Sequence, residues 1–476
     1  MGRVSQALVS RALLIGVVAI VAAAVPLGAL AQGPFADPAF AATWARTDAP
    51  VSAGQVSRTY YWGPCTSTPG GVTETLYGAP GDARQVQYFD KSRMELNDPR
   101  GDRASPWFVT NGLLANELIT GRMQVGYNDF QSRTPSEQAV AGDPGDLLAP
   151  SYRAFGRVLS APPAAANAAI TETIDHDGNR GNNPSLSRYA VTATELVPAT
   201  NHRLASVFRD FLASTGSVEE GGRLVVAPLS ATPFFVTGLP TSEAYWARAA
   251  IGGVTRDVLV QVFERRVLTY VPTNNPAFRV EMANIGLHYR AWRYGASLDY
   301  FGALVGNRWS YGNSRSTYSL TYEVIALDTA FKPGETLLKV RVSSPSIALE
   351  YWQERDGQLL IHGRAEPGGA TTRYEPPYVA YRYCIDVGQT WETTTTRTAG
   401  PGSRPQAVTY RFAVEGAETI EASPGTPFPT YRIRRWDTDT VDGSARETIL
   451  WVSPYVGLVR LQTTGLTITL RGMSLH

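Results

Sequence analysis

Apolar and polar residues alternate over long stretches of the chain, and elsewhere the apolar step changes to three and four. Val86 and Tyr88, then Met94 and Leu96, alternate with polar neighbours and predict a hairpin. Leu113, Leu114, Glu117 and Leu118 follow at helical spacing, with Gly121 placed as a C-cap. Phe40 to Arg46 is a short helix candidate, and Val56 to Trp62 reads as an aromatic, β-branched strand. Leu204, Val207, Phe208, Phe211 and Leu212 predict an amphipathic helix closed by Gly216. Strands around 258–262 and 267–271 and a helix from about Ile285 to Gly295 come next. From Tyr300 onward the helical step vanishes. Tyr318, Leu320, Tyr322 and Val324 alternate with polar residues, as do Leu338, Val340 and Val342, and Leu466, Ile468 and Leu470. These are half-buried antiparallel strands.

Two stretches share one register. At a constant offset of 174 residues, Gly78 matches Gly252, Val86 matches Val260, Gln87 matches Gln261 and Phe89 matches Phe263. Gly112, Leu113 and Gly121 match Gly286, Leu287 and Gly295. The register predicts an internal duplication. The C-terminal part echoes itself too: VGNRWSY at Val305 against VGQTWET at Val387. The expected fold class is α+β. A duplicated module of short strands and helices has one copy over 37–160, a linker region over 161–200 and a second copy over 201–298. A mainly-β domain over 300–476 follows, as a curved antiparallel sheet or half-barrel.

The chain has 476 residues, 43% hydrophobic and 10% aromatic, enough for two or three domains with real cores. A net charge of +1 argues against a nucleic-acid partner. Arg3 and Arg11, an apolar run from Ala12 to Leu30 and an Ala29-Leu30-Ala31 cleavage site predict a signal peptide over 1–31. The run is also near membrane-spanning length, so an uncleaved anchor is the alternative. No later stretch reads as a transmembrane segment, and the expected location is secreted or at the cell surface. Cys65 and Cys384 fall in different expected domains, so two unpaired thiols are expected in preference to a bridge.

Two family resemblances can be read. FAATWARTDAPV, VQYFDKSRMEL, VTNGLLANELITG, QVFERRVLTYVP and NIGLHYRAWRY, within Asp37 to Tyr294, resemble a secreted domain of unassigned function from high-GC bacterial envelope proteins. Gly238-Leu239-Pro240-Thr241, Glu243, Gly252-Gly253 and Gln261-Val262-Phe263 are similar to the LGFP cell-wall repeat, which implies cell-wall association. The first copy departs from it through a longer insert before Glu74. YFGALVGNRWSY, YEPPYVAYRYCIDVGQTW and TPFPTYRIRRW resemble an exported β-sheet domain similar to LolA/LolB-type half-barrels. That resemblance implies a concave face for acyl chains, with no site residue carried over.

Candidate chemistry is sparse. Asp90, Glu95, Glu264 and Glu281 offer carboxylate pairs for a glycoside hydrolase, but Asp90 and Glu264 stand beside Lys91 and Arg265 as surface ion pairs would. DHDGNRG from Asp175 has calcium-loop spacing but Arg180 at its sixth position and Leu186 at its twelfth, so it reads as a polar linker. His176, His202, His288, His362 and His476 form no zinc motif, and no nucleophile elbow or Walker loop occurs. No catalytic residue, metal ligand or cofactor is assigned. Tyr61, Trp62, Tyr245 and Trp246 flank Gly/Pro turns and are the expected ligand-binding rings, exposed for stacking on sugar. The leading expectation is a non-enzymatic envelope protein binding an extracellular polymer, cell-wall glycan. A lipid or hydrophobic-ligand carrier is second and an extracellular glycoside hydrolase third.

Overall fold

Asp37 starts the first helix, Pro38–Thr47: its carboxylate accepts from the Ala39 amide at 2.8 Å, and Pro38 supplies the preset first turn. The computed structural model describes residues 34–475 apart from 144, 231, 314–318, 424, 425 and 440–442. The expected leader lies outside the described residues.

Two antiparallel meanders follow the helix. The first runs Val72–Thr75, Ala83–Phe89, Ser92–Leu96 and Thr110–Asn111, in that spatial order. The second runs Tyr245–Ile251, Val254–Val262, Val267–Tyr270 and Val280–Met282. Glu172–Ile174 and Arg180–Asn182, within the expected linker region 161–200, pair as a hairpin and extend its outer edge. A helix follows each meander, Leu114–Thr120 and Ile285–Tyr294, closed by Gly121 (φ 70°) and Gly295 (φ 65°). Residues at the shared offset make the same bonds. Gln87 Nε2 donates to the Thr68 carbonyl at 3.2 Å, and Gln261 Nε2 to the Ser242 carbonyl at 3.0 Å. The Tyr88 amide donates to Thr68 Oγ1, and the Val262 amide to Ser242 Oγ. Each helix start also reaches the other meander: the Gly286 and Leu287 amides donate to the Asp90 carbonyl, and the Asn116 amide to the Glu264 carbonyl.

Between the first meander and the two helices lies a buried charge network. Glu74 takes Arg84 at 3.1 Å, Arg93 at 3.2 Å and Arg293 at 3.2 Å, with the Tyr88 and Tyr294 hydroxyls donating to its other oxygen. Arg93 also pairs with Glu95, and Tyr289 donates to Glu117 at 2.5 Å. Packed in an apolar shell, these groups must satisfy one another.

The expected architecture needs correction. Strands dominate the described residues, the helices are few and short, and the C-terminal sheet is a closed barrel in place of an open half-barrel. Twelve antiparallel strands run from Arg308–Gly312 to Leu466–Ser474, and these two strands pair through Arg308 with Ser474 and Tyr311 with Leu470. Alternation requires one face in and one face out, and it leaves closure open: one apolar face suits a barrel as well as an open sheet. The outward face carries ion pairs such as Arg341 with Glu323, Arg411 with Glu392 and Arg434 with Glu447. A lipid-spanning barrel would present an apolar band there. Among the described residues no helix is long and apolar enough to cross a membrane.

The barrel and the preceding region meet at Asp90, which accepts from the Tyr455 hydroxyl at 2.8 Å and the Tyr383 hydroxyl at 3.2 Å. Arg290 reaches the Pro454 carbonyl. The two cysteines, expected as free thiols, form the disulfide Cys65–Cys384, with Cα atoms 5.5 Å apart. Residues 319 apart in sequence meet because the turn bearing Cys384 sits on this junction.

Candidate ligand-binding site

The barrel lumen is built by register. Val340, Val342 and Ala348 are buried, and Lys339 and Arg341, which alternate with the two valines, form surface ion pairs, so the buried set faces inward. Strand partners share a face. Tyr322 pairs with Val342, Glu350 with Val340 and Trp352 with Leu338, which turns all of these inward. On the other side Trp391, Tyr410, Phe412 and Val414 are buried, and Asp437, Arg435 and Ile433 are their partners. Tyr378 and Tyr381 come inward with Ile361 and Leu359.

The lumen is graded along its axis. Toward the junction it is apolar: Trp391 stacks on Phe412 at 4.8 Å, beside Ile433 and Leu450. Toward the opposite end it is charged. Glu350 takes Arg364 at 2.9 Å, Arg397 takes Gln406 at 2.6 Å and Asp439 at 3.3 Å, and Arg435 pairs with Asp437. Tyr378 stacks on Tyr410 at 4.2 Å and meets Tyr374 edge-on at 5.0 Å between the two zones.

These inward rings are not sealed. Burial pushes the Tyr378 hydroxyl well above the ordinary phenol range and Tyr381 up to about 12. Both rings, with Tyr322, Trp352, Leu338 and Leu461, nonetheless keep accessible surface. A barrel of eight strands has room for its side chains or one small ligand, and twelve strands enclose more.

The four expected binding rings are elsewhere, and the exposure expected of them is overturned. Tyr61, Trp62, Tyr245 and Trp246 are at most 2% exposed. The Asp48 carboxylate explains the first two: it accepts the backbone amides of Tyr61, Trp62 and Gly63, which draws the segment inward although a Gly-Pro turn follows. Trp62 packs edge-on against Phe89 and Tyr61 stacks on Phe211. Tyr245 and Trp246 lie on an inner strand, and Trp246 Nε1 donates to the Ile170 carbonyl. Only ring edges reach space: Trp246 borders a surface cleft of about 550 Å³, and Tyr61 and Trp62 border one of about 160 Å³.

The expected carboxylate pairs also dissolve. Asp90 sits in the junction and Glu95 in the buried arginine network. Glu264 accepts the Leu239 amide at 3.0 Å. Asp175 accepts the amides of Asp177 and Asn179 within the hairpin turn. His288 bonds Tyr152 through Nδ1 at 2.8 Å, and burial lowers it to about 4, which keeps the ring neutral. Sequence reasoning missed the lumen residues Tyr378, Tyr410 and Arg435. The usable signal was the density of aromatic residues in YEPPYVAYRY and in VTYRFAV.

No family model and no curated protein matches the chain. Two solved structures are similar over part of it. One is the hypothetical lipoprotein YmcC from Escherichia coli, at 12% identity over 38% of this chain and 94% of that one, with a TM-score of 0.23. The other is a "putative lipoprotein" from Parabacteroides distasonis, at 11% identity over 37% of this chain and 99% of that one, with a TM-score of 0.22. Likenesses of this size carry no argument about fold or function.

Proposed function

We propose that the protein binds a hydrophobic small molecule inside the barrel and acts as its carrier. The observation that carries this reading is the set of inward-facing rings, Tyr322, Trp352, Tyr378 and Tyr381, that keep accessible surface. A mostly apolar concavity with a few placed polar groups is the general form of a small-ligand site. The Asp90 junction stands at one end of the barrel, so on this reading the ligand enters from the other. The test is native mass spectrometry of the full chain with titration of the neutral apolar dye N-phenylnaphthylamine. A co-purifying mass or saturable dye fluorescence is expected, and Leu461→Trp, which fills the lumen, should abolish the signal. An apo mass together with no dye binding would sink the reading.

A second reading, binding of cell-wall glycan, is favoured by other aromatic residues. Tyr77, Tyr127 and Phe130 are 53%, 51% and 42% exposed, and Tyr77 and Tyr127 are tied by the Tyr127 amide donating to the Tyr77 carbonyl. Exposed rings held on a fixed backbone can stack on sugar faces. Pull-down on purified peptidoglycan tests it: loss on Tyr77→Ala plus Tyr127→Ala supports it, and no retention of the wild type refutes it.

A further inference from the structure

Among the described residues whose register turns them to the lumen are Arg364, Arg397 and Arg435, and Arg435 has the fewest acceptors of these three. Arg364 donates to both Glu350 and Glu366, and Arg397 to both Gln406 and Asp439. Arg435 makes a single hydrogen bond, from Nη2 to Asp437 Oδ2 at 3.0 Å. Its Nε lies 2.7 Å from Asp437 Oδ1 but off hydrogen-bond geometry, and is left buried without a bond. Nη1 has no hydrogen-bond partner among the described residues. A guanidinium carries five N–H donors in a planar fork; Nε and Nη2 are turned to Asp437, and Nη1 is free to take an acceptor.

Arg435 does not stand at the outer surface. Its side chain is 23% exposed, it pairs across the sheet with Phe412, and its charge acts on Tyr374, Tyr378, Tyr381 and Tyr410. The phenols stay protonated because burial holds them high, so their hydroxyls can add hydrogen bonds to an acid group. On the junction side the lumen becomes apolar at Trp391, Phe412, Ile433 and Leu450. Asp437 opposes an incoming anion, but it occupies only one edge of the fork. Glu350 and Asp439 are already committed to Arg364 and Arg397.

We propose that the lumenal ligand is an anionic amphiphile: a carboxylate or phosphate monoester head held by the free edge of Arg435, with an apolar tail lying toward Trp391 and Phe412. This rests on the lumen reading above and adds the head group. Guanidinium binds both oxyanions as a two-pronged donor, so the shared chemistry is the acid.

The experiment compares ligands that share a tail. Palmitate, hexadecanol and lysophosphatidate are titrated at neutral pH into the full chain by displacement of N-phenylnaphthylamine. Wild type should bind palmitate or lysophosphatidate about tenfold or more tightly than hexadecanol, as a charge-assisted pair predicts. Whichever acid binds better identifies the source of the head. Arg435→Gln should remove the preference, bringing the acids down to the affinity of the alcohol. Equal affinity of acids and alcohol for wild type overturns the proposal and leaves the lumen reading standing. So does an acid preference that survives in Arg435→Gln. Failure of every probe, the dye included, removes both. The wild-type comparison decides the matter even where the variant does not fold.

Discussion

Tyr455 donates its hydroxyl to Asp90 Oδ1 at 2.8 Å across 365 residues of sequence, and Tyr383 donates to the other oxygen at 3.2 Å. Asp90 is buried, and burial pushes its carboxyl up in spite of these donors. Its backbone carbonyl also takes the Gly286 and Leu287 amides, so one residue ties the first meander to the helix 285–294 and to the barrel. Tyr455→Phe leaves a buried oxygen without its donor and should cost about 1–3 kcal/mol in urea unfolding. Tyr383→Phe removes a longer, less buried bond and should cost less. Two variants indistinguishable from wild type would show that the junction rests on packing alone.

The disulfide acts at the same junction. Cys65 and Cys384 close a loop of more than three hundred residues, which removes much of the freedom of the unfolded chain. Cys65→Ala with Cys384→Ala should lower stability by about 5–6 kcal/mol on the chain-entropy account. Thermal unfolding with and without reductant checks this: reductant should lower the midpoint of wild type and leave the double variant unmoved.

Local patterns were legible in the sequence, whereas the fold class was not, for identifiable reasons. Gln87 and Gln261 stand at one offset in the sequence and make matching bonds to Thr68 and Ser242. The echo of VGNRW in VGQTW has a counterpart as well. The Val324 amide bonds the Asn307 carbonyl, and the Val414 amide bonds the Gln389 carbonyl. Barrel closure was not legible, because pairing Tyr311 with Leu470 is a long-range event that alternation does not specify. Exposure of Tyr61 and Trp62 was misjudged from their flanking turn, since the anchoring Asp48 lies more than ten residues upstream. Arg435 looked like any strand arginine; its unspent donors become visible only when each neighbour's partners are known.

The buried network makes stability depend on acid pH. Burial alone would raise the Glu74 carboxyl, but Arg93, Arg293 and Arg84 outweigh it and hold it well below its ordinary value of 4.5. A carboxyl lower in the folded than in the unfolded state stabilises above the unfolded value, and that stability is lost as pH falls below it. Glu117 has the opposite sign: burial raises it, so its share is present at low pH and lost as pH rises through its folded value. Unfolding free energy should therefore fall as pH drops below about 4.5. Glu74→Gln should lose about 3–5 kcal/mol at neutral pH by leaving arginines uncompensated, and its acid limb should be flatter. An unchanged acid limb in Glu74→Gln would assign the pH dependence to other carboxyls.

Two glycines on one helix separate close approach from backbone conformation. A Cβ on Gly286 would lie 1.9 Å from the Phe89 carbonyl oxygen and 2.6 Å from that of Ser92, both fixed backbone atoms of the first meander. No rotamer relieves this, so the helix must move off the hairpin and give up the Gly286 and Leu287 bonds to Asp90. Gly295 ends the same helix at φ 65° with open space around it, so only the left-handed conformation penalises a side chain. Gly295→Ala should cost about 1 kcal/mol. Gly286→Ala should cost more than about 3 kcal/mol, the range of overpacking joined to lost buried bonds. Chemical denaturation of both variants measures the difference. Equal losses would mean that the helix is not seated on the first meander, and the interlocking of the two meanders would fall with it.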